Sequence, residues 1–412
     1  MLGMVLRQLV KRGSLTAVWP DGRIHRFGDG SSPQVTLKFH GWRTPLAIGL
    51  RPDLAFGEAY MDGRVTVENG TIADVLEIFM RNLGAGATPS TLGLAEFIRR
   101  VFRVIAQFNP ATRARMNVAH HYDLSGALFD LFLDADRQYS CAYFAQPKMS
   151  LEAAQAAKKR HLAAKLKLDH PGLKVLDIGS GWGGLGLDLA RDSKAEVLGV
   201  TLSTEQLAIA NSRAQSAGLA EHCRFELADY RAIKGPFDRI VSVGMFEHVG
   251  VKFYDAFFNK VRDLLTPDGV AVLHTIGRTD GPGATNAWLA KYIFPGGYTP
   301  AMSEVTASIE RSGLYITDVE VLRLHYAETL KEWRSRFRKN WAKAAALYDE
   351  RFCRMWEFYL ASAEMTFRYH HLVVFQFQLA KGVDALPITR DYMLESEHGS
   401  RFALASRANE AA

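Results

Sequence analysis

The stretch Lys174-Val-Leu-Asp-Ile-Gly-Ser-Gly-Trp-Gly-Gly184 concentrates the residue types that bring a ligand onto a protein backbone. Gly179, Gly181, Gly183 and Gly184 lie between an apolar run at 174–178, which reads as a buried strand, and a helical run that opens at Leu185. Glycine allows positive φ and leaves no Cβ in a ligand's way. A helix N-terminus at the carboxyl edge of a parallel sheet then offers unpaired N–H groups. Two common occupants are disfavoured. Nicotinamide-binding folds carry an acid about 20 residues further on to hold the ribose. Here the next strand, Ala195-Glu-Val-Leu-Gly-Val200, runs into Thr201-Leu-Ser203 with no carboxylate. The loop also lacks the Lys-Ser/Thr pair of a nucleoside triphosphatase.

The loop resembles the S-adenosylmethionine loop of class I methyltransferases, and further stretches sharpen the likeness. These are Ala119-His-His-Tyr-Asp-Leu-Ser125, Gln138-Tyr-Ser-Cys-Ala-Tyr-Phe144, Gly199-Val-Thr-Leu-Ser-Thr-Glu-Gln206, Met245-Phe-Glu-His-Val-Gly250 and Val272-Leu-His-Thr-Ile-Gly277. Together they closely resemble the cyclopropane fatty acid synthase family. Ala55-Phe-Gly-Glu-Ala-Tyr-Met-Asp-Gly63 is similar to the N-terminal domain of its longer bacterial members, and Lys291-Tyr-Ile-Phe-Pro-Gly-Gly297 to its acyl-pocket segment. The resemblance thus covers nearly the whole chain.

The resemblance implies an enzyme that transfers a methylene group from S-adenosylmethionine to the cis double bond of a phospholipid acyl chain. An isolated alkene is a poor nucleophile, so the sulfonium methyl must be held close and in line in a dry site. Attack leaves a carbocation, which aromatic faces stabilise without trapping it; Tyr122, Tyr143, Phe144 and Tyr292 are the candidates. The family uses a bound bicarbonate ion as base. By resemblance its holders map onto Cys141, Glu247, His274, Ile276 and Tyr326, the last in Leu324-His-Tyr-Ala-Glu-Thr-Leu330. For the cofactor, the resemblance implies Tyr139 and Ser140 at the methionine end and Gly179, Gly181 and Gly183 along the backbone. Thr201 and Gln206 would take the ribose, and Asp229 and Tyr230 would flank the adenine.

One departure bears on the product. In Phe358-Tyr-Leu-Ala-Ser-Ala-Glu-Met-Thr-Phe367, Ala363 stands where several family members carry a cysteine, with Glu364 beside it. Cys353 lies about three helical turns earlier and reads as a packed residue. Catalysis by a C-terminal thiol is therefore excluded, though the alkene mechanism needs none. The alternative product is a methyl or methylene branch on the same chains. From a different class, a non-catalytic membrane- or nucleic-acid-binding protein could keep such a fold, but the intact loop and base set argue against it.

The elements that must position these residues follow from length and pattern. At 412 residues, 48% hydrophobic and 23% charged, the chain is globular with two domains expected. The net charge of +6 admits an anionic partner, either nucleic acid or a membrane surface. Cys141, Cys223 and Cys353 are widely spaced, which fits a reducing cytosol and gives no zinc signature. The pairs His120-His121 and His370-His371 should point to different faces, so no metal site is expected. No apolar run approaches the ~18 residues of a membrane span, and Arg7, Lys11 and Arg12 come too early for a signal peptide.

Leu2, Val5, Leu6, Leu9 and Val10 read as an ordinary amphipathic first helix, with a membrane-surface helix as the alternative. Residues 1–88 form a small α+β domain, with short strands at 17–19, 23–27, 35–39 and 46–48 and a helix at 72–83. A linker at 84–90 and a basic helix at 97–105 lead into a catalytic domain, 89–412. There, helices at 123–134 and 151–168 precede strands at 174–178, 195–200, 223–227, 237–243 and 269–275 with helices between. That alternation predicts an α/β, class I methyltransferase (Rossmann-like) doubly wound sheet. A helical insertion covers 281–312, and aromatic segments at 329–345 and 350–369 close the domain. The basic, aromatic stretch 331–343 reads first as a solvated face, then as a contact for anionic head groups; no nucleic-acid module surrounds it. The expected setting is cytoplasmic, peripheral to the inner face of the membrane, without nucleic acid. A homodimer is implied by resemblance to the longer members.

Overall fold

The computed structural model describes residues 2–86 and 125–398. Tyr122, the His120-His121 pair, the helix expected at 97–105 and most of the expected linker lie outside these residues. The N-terminal layer comprises α1 (Leu2–Leu9), β1 (Ser14–Val18), β2 (Ile24–Gly28), β3 (Gln34–Phe39), α2 (Arg43–Leu50), α3 (Pro52–Met61), β4 (Val65–Asn69) and α4 (Ile72–Gly84). Its four strands run in the order β2-β1-β3-β4, with β1 parallel to β3 and the other pairs antiparallel. Leu15, Ala17, Val35, Leu37 and Phe39 alternate on the buried face, as one-sided strands must. α4 opens on a capping box between Thr71 and Asp74.

Two expectations change here. Residues 46–48 are helical, not a strand: Pro45 sits in the first turn of α2, where no N–H is needed. The sequence pattern did not separate β4, which pairs with β3. In α1, Leu2, Val5, Leu6 and Leu9 are all buried, so its apolar stripe is spent on the protein's own core. That is the ordinary amphipathic helix.

The second part runs through α5 (Gly126–Phe129), α6 (Leu151–Lys165), β5 (Lys174–Ile178), α7 (Gly184–Ser193), β6 (Glu196–Thr201), α8 (Thr204–Ser216), β7 (Cys223–Leu227), β8 (Phe237–Val243), α9 (Tyr254–Leu264) and β9 (Leu265–Arg278). There follow α10 (Ala287–Tyr292), α11 (Met302–Ser312), β10 (Tyr315–Leu322), α12 (His325–Lys339), α13 (Trp341–Leu347), α14 (Glu350–Tyr369), β11 (Leu372–Ala380) and α15 (Asp391–His398). Its seven strands lie in the order β10-β11-β9-β8-β5-β6-β7. β5 to β9 pair in parallel, and β11 is antiparallel to both β9 and β10. β6 and β8 flank β5 on opposite sides, so the order reverses above the carboxyl end of β5. Ligands bind at such a switch point.

This is the class I methyltransferase sheet; β10 and β11 belong to it but are not marked by the sequence pattern. Residues 372–380 are buried on both faces, Gln376 and Gln378 included, so the run does not read as the apolar-in, polar-out alternation of a one-sided strand. The helix expected over 123–134 is confined, among the described residues, to Gly126–Phe129.

The N-terminal layer docks chiefly on α14. Tyr60 Oη donates to Glu357 at 2.7 Å, Tyr369 Oη to Glu77 at 2.9 Å and Arg354 Nε to the Met61 carbonyl at 2.8 Å. Lys291 pairs with Glu58 at 2.6 Å, and one continuous apolar core runs through both parts. Among the described residues no helix is long and apolar enough to cross a membrane.

Candidate active site

The loop after β5 turns on positive φ. Gly179 has φ +87°, and a Cβ there would lie 2.8 Å from Met245 Cβ, so only glycine fits. Gly183, φ +84°, caps α7 against the Phe225 ring. A cleft of about 170 Å³ opens above the loop. It is lined by Tyr139, Ser140, Gly179, Gly181, Thr201, Gln206, Asp229 and Tyr230. Of the residues assigned to the cofactor, Gly183 alone does not line it; its role is to close the turn.

The cleft's polar groups are tied in place. Thr201 Oγ1 donates to Gln206 Oε1 at 2.8 Å, and Asp229 accepts from the Arg231 amide and guanidinium at 2.6–3.0 Å. Lys158, which no sequence motif marks, reaches in from α6. Its Nζ donates to Gln138 Oε1 at 2.5 Å and Ser140 Oγ at 2.9 Å. Burial lowers its pKa to about 8. Asp177, at the end of β5, has its pKa raised by burial to about 7, and its Oδ2 is buried without a hydrogen-bond partner. A cationic ligand would satisfy that oxygen. The cleft therefore fits S-adenosylmethionine, which brings an ammonium and a sulfonium.

A second cavity, of about 500 Å³, shares Tyr139, Ser140, Gly244 and His248 with the cleft. Cys141, Glu247, His274, Ile276 and Tyr326 all line it. Glu247 sits on the turn after β8. Its Oε1 accepts the Ile276 N–H at 2.6 Å, whereas Oε2 is buried without a partner. Burial raises its pKa to about 7, against the hydrogen bonds that lower it. His274 is buried, and Gln376 Nε2 donates to its Nδ1 at 3.1 Å. Burial, reinforced by the charge of Lys158, holds the ring neutral. Burial pushes the Cys141 thiol far up, so it is no nucleophile. The Tyr326 ring stands edge-on to Trp333 at 5.8 Å.

A family model described as "Mycolic acid cyclopropane synthetase" matches residues 109–377. The chain belongs to this family. A second model, "Domain of unknown function (DUF7884)", matches residues 3–89. The "Probable fatty acid methyltransferase" of Pseudomonas putida is 36% identical over 390 residues, 90% of this chain and 94% of that one. The "Cyclopropane-fatty-acyl-phospholipid synthase" of Escherichia coli K12 is 38% identical over 336 residues, 80% of this chain and 84% of that one. The solved structure of the mycolic acid cyclopropane synthase CmaA1, complexed with SAH and CTAB, is 35% identical. It superposes with a TM-score of 0.62, covering 67% of this chain and 100% of that one. The chain is thus an S-adenosylmethionine-dependent methyltransferase of the cyclopropane synthetase family.

Three aromatic candidates of this cyclopropane synthetase family member stand elsewhere. Tyr143 is stacked between His161 and His325, with ring centres 4.1 and 5.0 Å away. The Phe144 amide donates to His325 Nδ1 at 3.0 Å, and Tyr292 Oη is spent on Glu58 at 2.9 Å. None of the three lines either cavity. Tyr139, Phe294, Tyr326, Phe358, Tyr359 and Phe367 do line the larger one. A signal for part of this set was present: Tyr359, Ala363, Thr366 and Phe367 follow i, i+4, i+7, i+8 along α14, a single stripe. Ala363 sits in that wall, while Glu364 is buried in an ion pair with Arg334 at 2.9 Å.

The basic segment 331–343 is also more engaged than a solvated face. Trp333 and Phe337 are buried, and Arg334, Arg336 and Arg338 pair with Glu364, Glu152 and Glu357.

Proposed function

We propose that the protein transfers a methylene group from S-adenosylmethionine to the cis double bond of an unsaturated phospholipid acyl chain, forming a cyclopropane ring. The observation that carries this reading is the buried, unpartnered Glu247 Oε2 in the wall of an apolar cavity that meets the cofactor cleft at Tyr139 and Ser140. In the reaction, the methyl carbon leaves sulfur and bonds to one alkene carbon, and the other alkene carbon becomes cationic. Tyr139, Tyr326 and Phe367 line the cavity and would stabilise that charge. A proton then leaves the added methyl, and its electron pair closes the ring.

Bicarbonate, when bound, would supply the base. Cys141, Glu247, His274 and Tyr326 would hold it, and Glu247 Oε2 has the vacant acceptor for its O–H. The Ile276 amide is already engaged by Glu247 Oε1, so it would join only if that carboxylate turned. The substrate class places the protein at a membrane surface, reached peripherally. Cosedimentation with anionic vesicles tests that point.

The second reading is methyl transfer to the same alkene, ending as a methyl or methylene branch. The methyltransferase name of the Pseudomonas putida relative and Ala363 in the cavity wall favour it. Proton NMR of phospholipid acyl chains incubated with S-adenosylmethionine, with and without bicarbonate, separates the two. Upfield ring protons that depend on bicarbonate support the synthase. Vinylidene or branched-methyl signals in their place would refute it.

A further inference from the structure

A carboxylate and two imidazoles converge at the rim of the large cavity. Leu372, the first residue of β11, pairs with Arg278, the last of β9. That register lays His371 beside Thr279, whose amide donates to the His371 carbonyl at 3.0 Å, and Asp280 follows directly. His370 is the C-cap of α14 and already extended, with φ −126° and ψ −166°. The chain therefore changes from helix to strand at this pair. Neighbouring side chains that a regular element would send to different faces instead have ring centres 4.9 Å apart, edge to face. This overturns the sequence-based argument against a metal site here.

Ligand atoms of Asp280, His370 and His371 all lie within 4.8 Å of one another, and they form the one such group found among the described residues. We propose that Asp280, His370 and His371 bind a divalent transition-metal ion of the zinc class at the cavity mouth. Two imidazole nitrogens and a carboxylate oxygen are a donor set that Zn²⁺ and its neighbours favour. Tetrahedral Zn–N and Zn–O bonds of about 2.0–2.2 Å set ligand atoms roughly 3.4 Å apart. All three residues are exposed, but the Asp280 side chain is partly covered by its Arg278 pair, so closing the remaining gap takes rotamer changes in the histidines and loosening of that pair. The fourth position is left for water or a phosphate oxygen.

The ion would have a competitor. Both oxygens of Asp280 accept from Arg278, each at 2.6 Å. Coordination draws the carboxylate from that guanidinium, and a released arginine is a bidentate phosphate binder. All four residues line the large cavity. If the acyl chain of a phospholipid occupies that cavity, as proposed above, the ion and Arg278 together grip its head-group phosphate.

The test is titration of tag-free full-length protein with Zn²⁺ by calorimetry, and with Co²⁺ by visible absorption. One ion per chain and the intense bands of tetrahedral Co²⁺ are expected. Loss of an outer-shell partner weakens metal sites about 10–100-fold, so loss of a ligand should cost at least that. His371→Ala and Asp280→Asn should show it while keeping wild-type affinity for S-adenosylhomocysteine, which reports an intact fold. Arg278→Ala should bind Zn²⁺ at least as tightly as wild type, because the competitor is gone. No binding, or binding unchanged in His371→Ala and Asp280→Asn, overturns the site. The titration needs no lipid and no turnover, so its failure is distinct from failure of the synthase reading.

Discussion

Replacing Glu247 with glutamine should stabilise the protein above neutral pH while sharply lowering turnover. Burial moves the carboxyl from its ordinary value of 4.5 to about 7. Below pH 4.5 the group is protonated both folded and unfolded and costs nothing. Between those values the unfolded chain ionises while the native state keeps its proton, so stability falls as pH rises. The loss is complete above about 7 and amounts to about 3 kcal/mol. Glutamine is isosteric and its Oε1 still accepts the Ile276 N–H, but it does not titrate.

The two proteins should therefore melt together at about pH 4 and below and diverge towards pH 8. With about 2.1 cal/mol/K per residue over 412 residues, the divergence is roughly 3–4 °C in favour of the variant. Scanning calorimetry at matched ionic strength reads it, and every other titrating group cancels in the comparison. Turnover should drop about 100-fold or more, the usual worth of a positioned proton acceptor. Parallel melting profiles across this range would refute the claim that Glu247 is held protonated by burial. Full activity in the variant would refute its role in proton removal.

Three other substitutions test separate parts of the structure. Gly179→Ala forces a side chain into φ +87° and against Met245; strain of about 1–3 kcal/mol should weaken S-adenosylhomocysteine at least about fivefold by calorimetry. Lys158→Met removes the donor that holds Gln138 and Ser140; cofactor affinity should fall about tenfold, and an unchanged Kd would mean that Ser140 needs no such positioning. Tyr60→Phe strips a hydrogen bond from the buried Glu357 between the N-terminal layer and α14; a cost of about 1–3 kcal/mol should appear as a lower Tm, with cofactor affinity untouched.

Much of the site is legible in the amino-acid sequence, because its parts are local. The glycine loop declares its turn through residue type, and β5, β7 and β8 fall on the residues that periodicity marks. Glu247, His274 and Cys141 belong to short motifs: Glu247 on the turn after β8, His274 within β9 and Cys141 in the segment between α5 and α6. Lys158 carries no such signal. It sits mid-helix among other charges, and only tertiary contact with Gln138 and Ser140, 20 and 18 residues away, gives it a place in the cleft.

Orientation is what the sequence does not carry. An aromatic residue's type says that it will be buried, not where its ring points. Tyr292 is turned out of the cavity by Glu58, 234 residues away, and the Phe144 amide is fixed by His325, 181 residues away. β11 escapes notice because Leu372 to Val374 shows no alternation and because Gln376 and Gln378, polar by type, are buried like their apolar neighbours. β10, which pairs only with β11 at the sheet edge, lacks the regular alternation of a one-sided strand. The His370-His371 pair misleads for a related reason: the rule about opposite faces assumes a regular element, and the helix stops between Tyr369 and His370. By itself, then, the sequence determined the family, the parallel strands of the sheet and the glycine loop of the cofactor cleft, since those reside in contiguous motifs and short-range periodicity. Only the tertiary structure decided which aromatic rings line the large cavity, that Leu37, Phe56, Leu76 and Phe79 of the N-terminal layer help to wall it, and that a carboxylate meets two histidines at its mouth, because those depend on contacts between residues far apart in the chain.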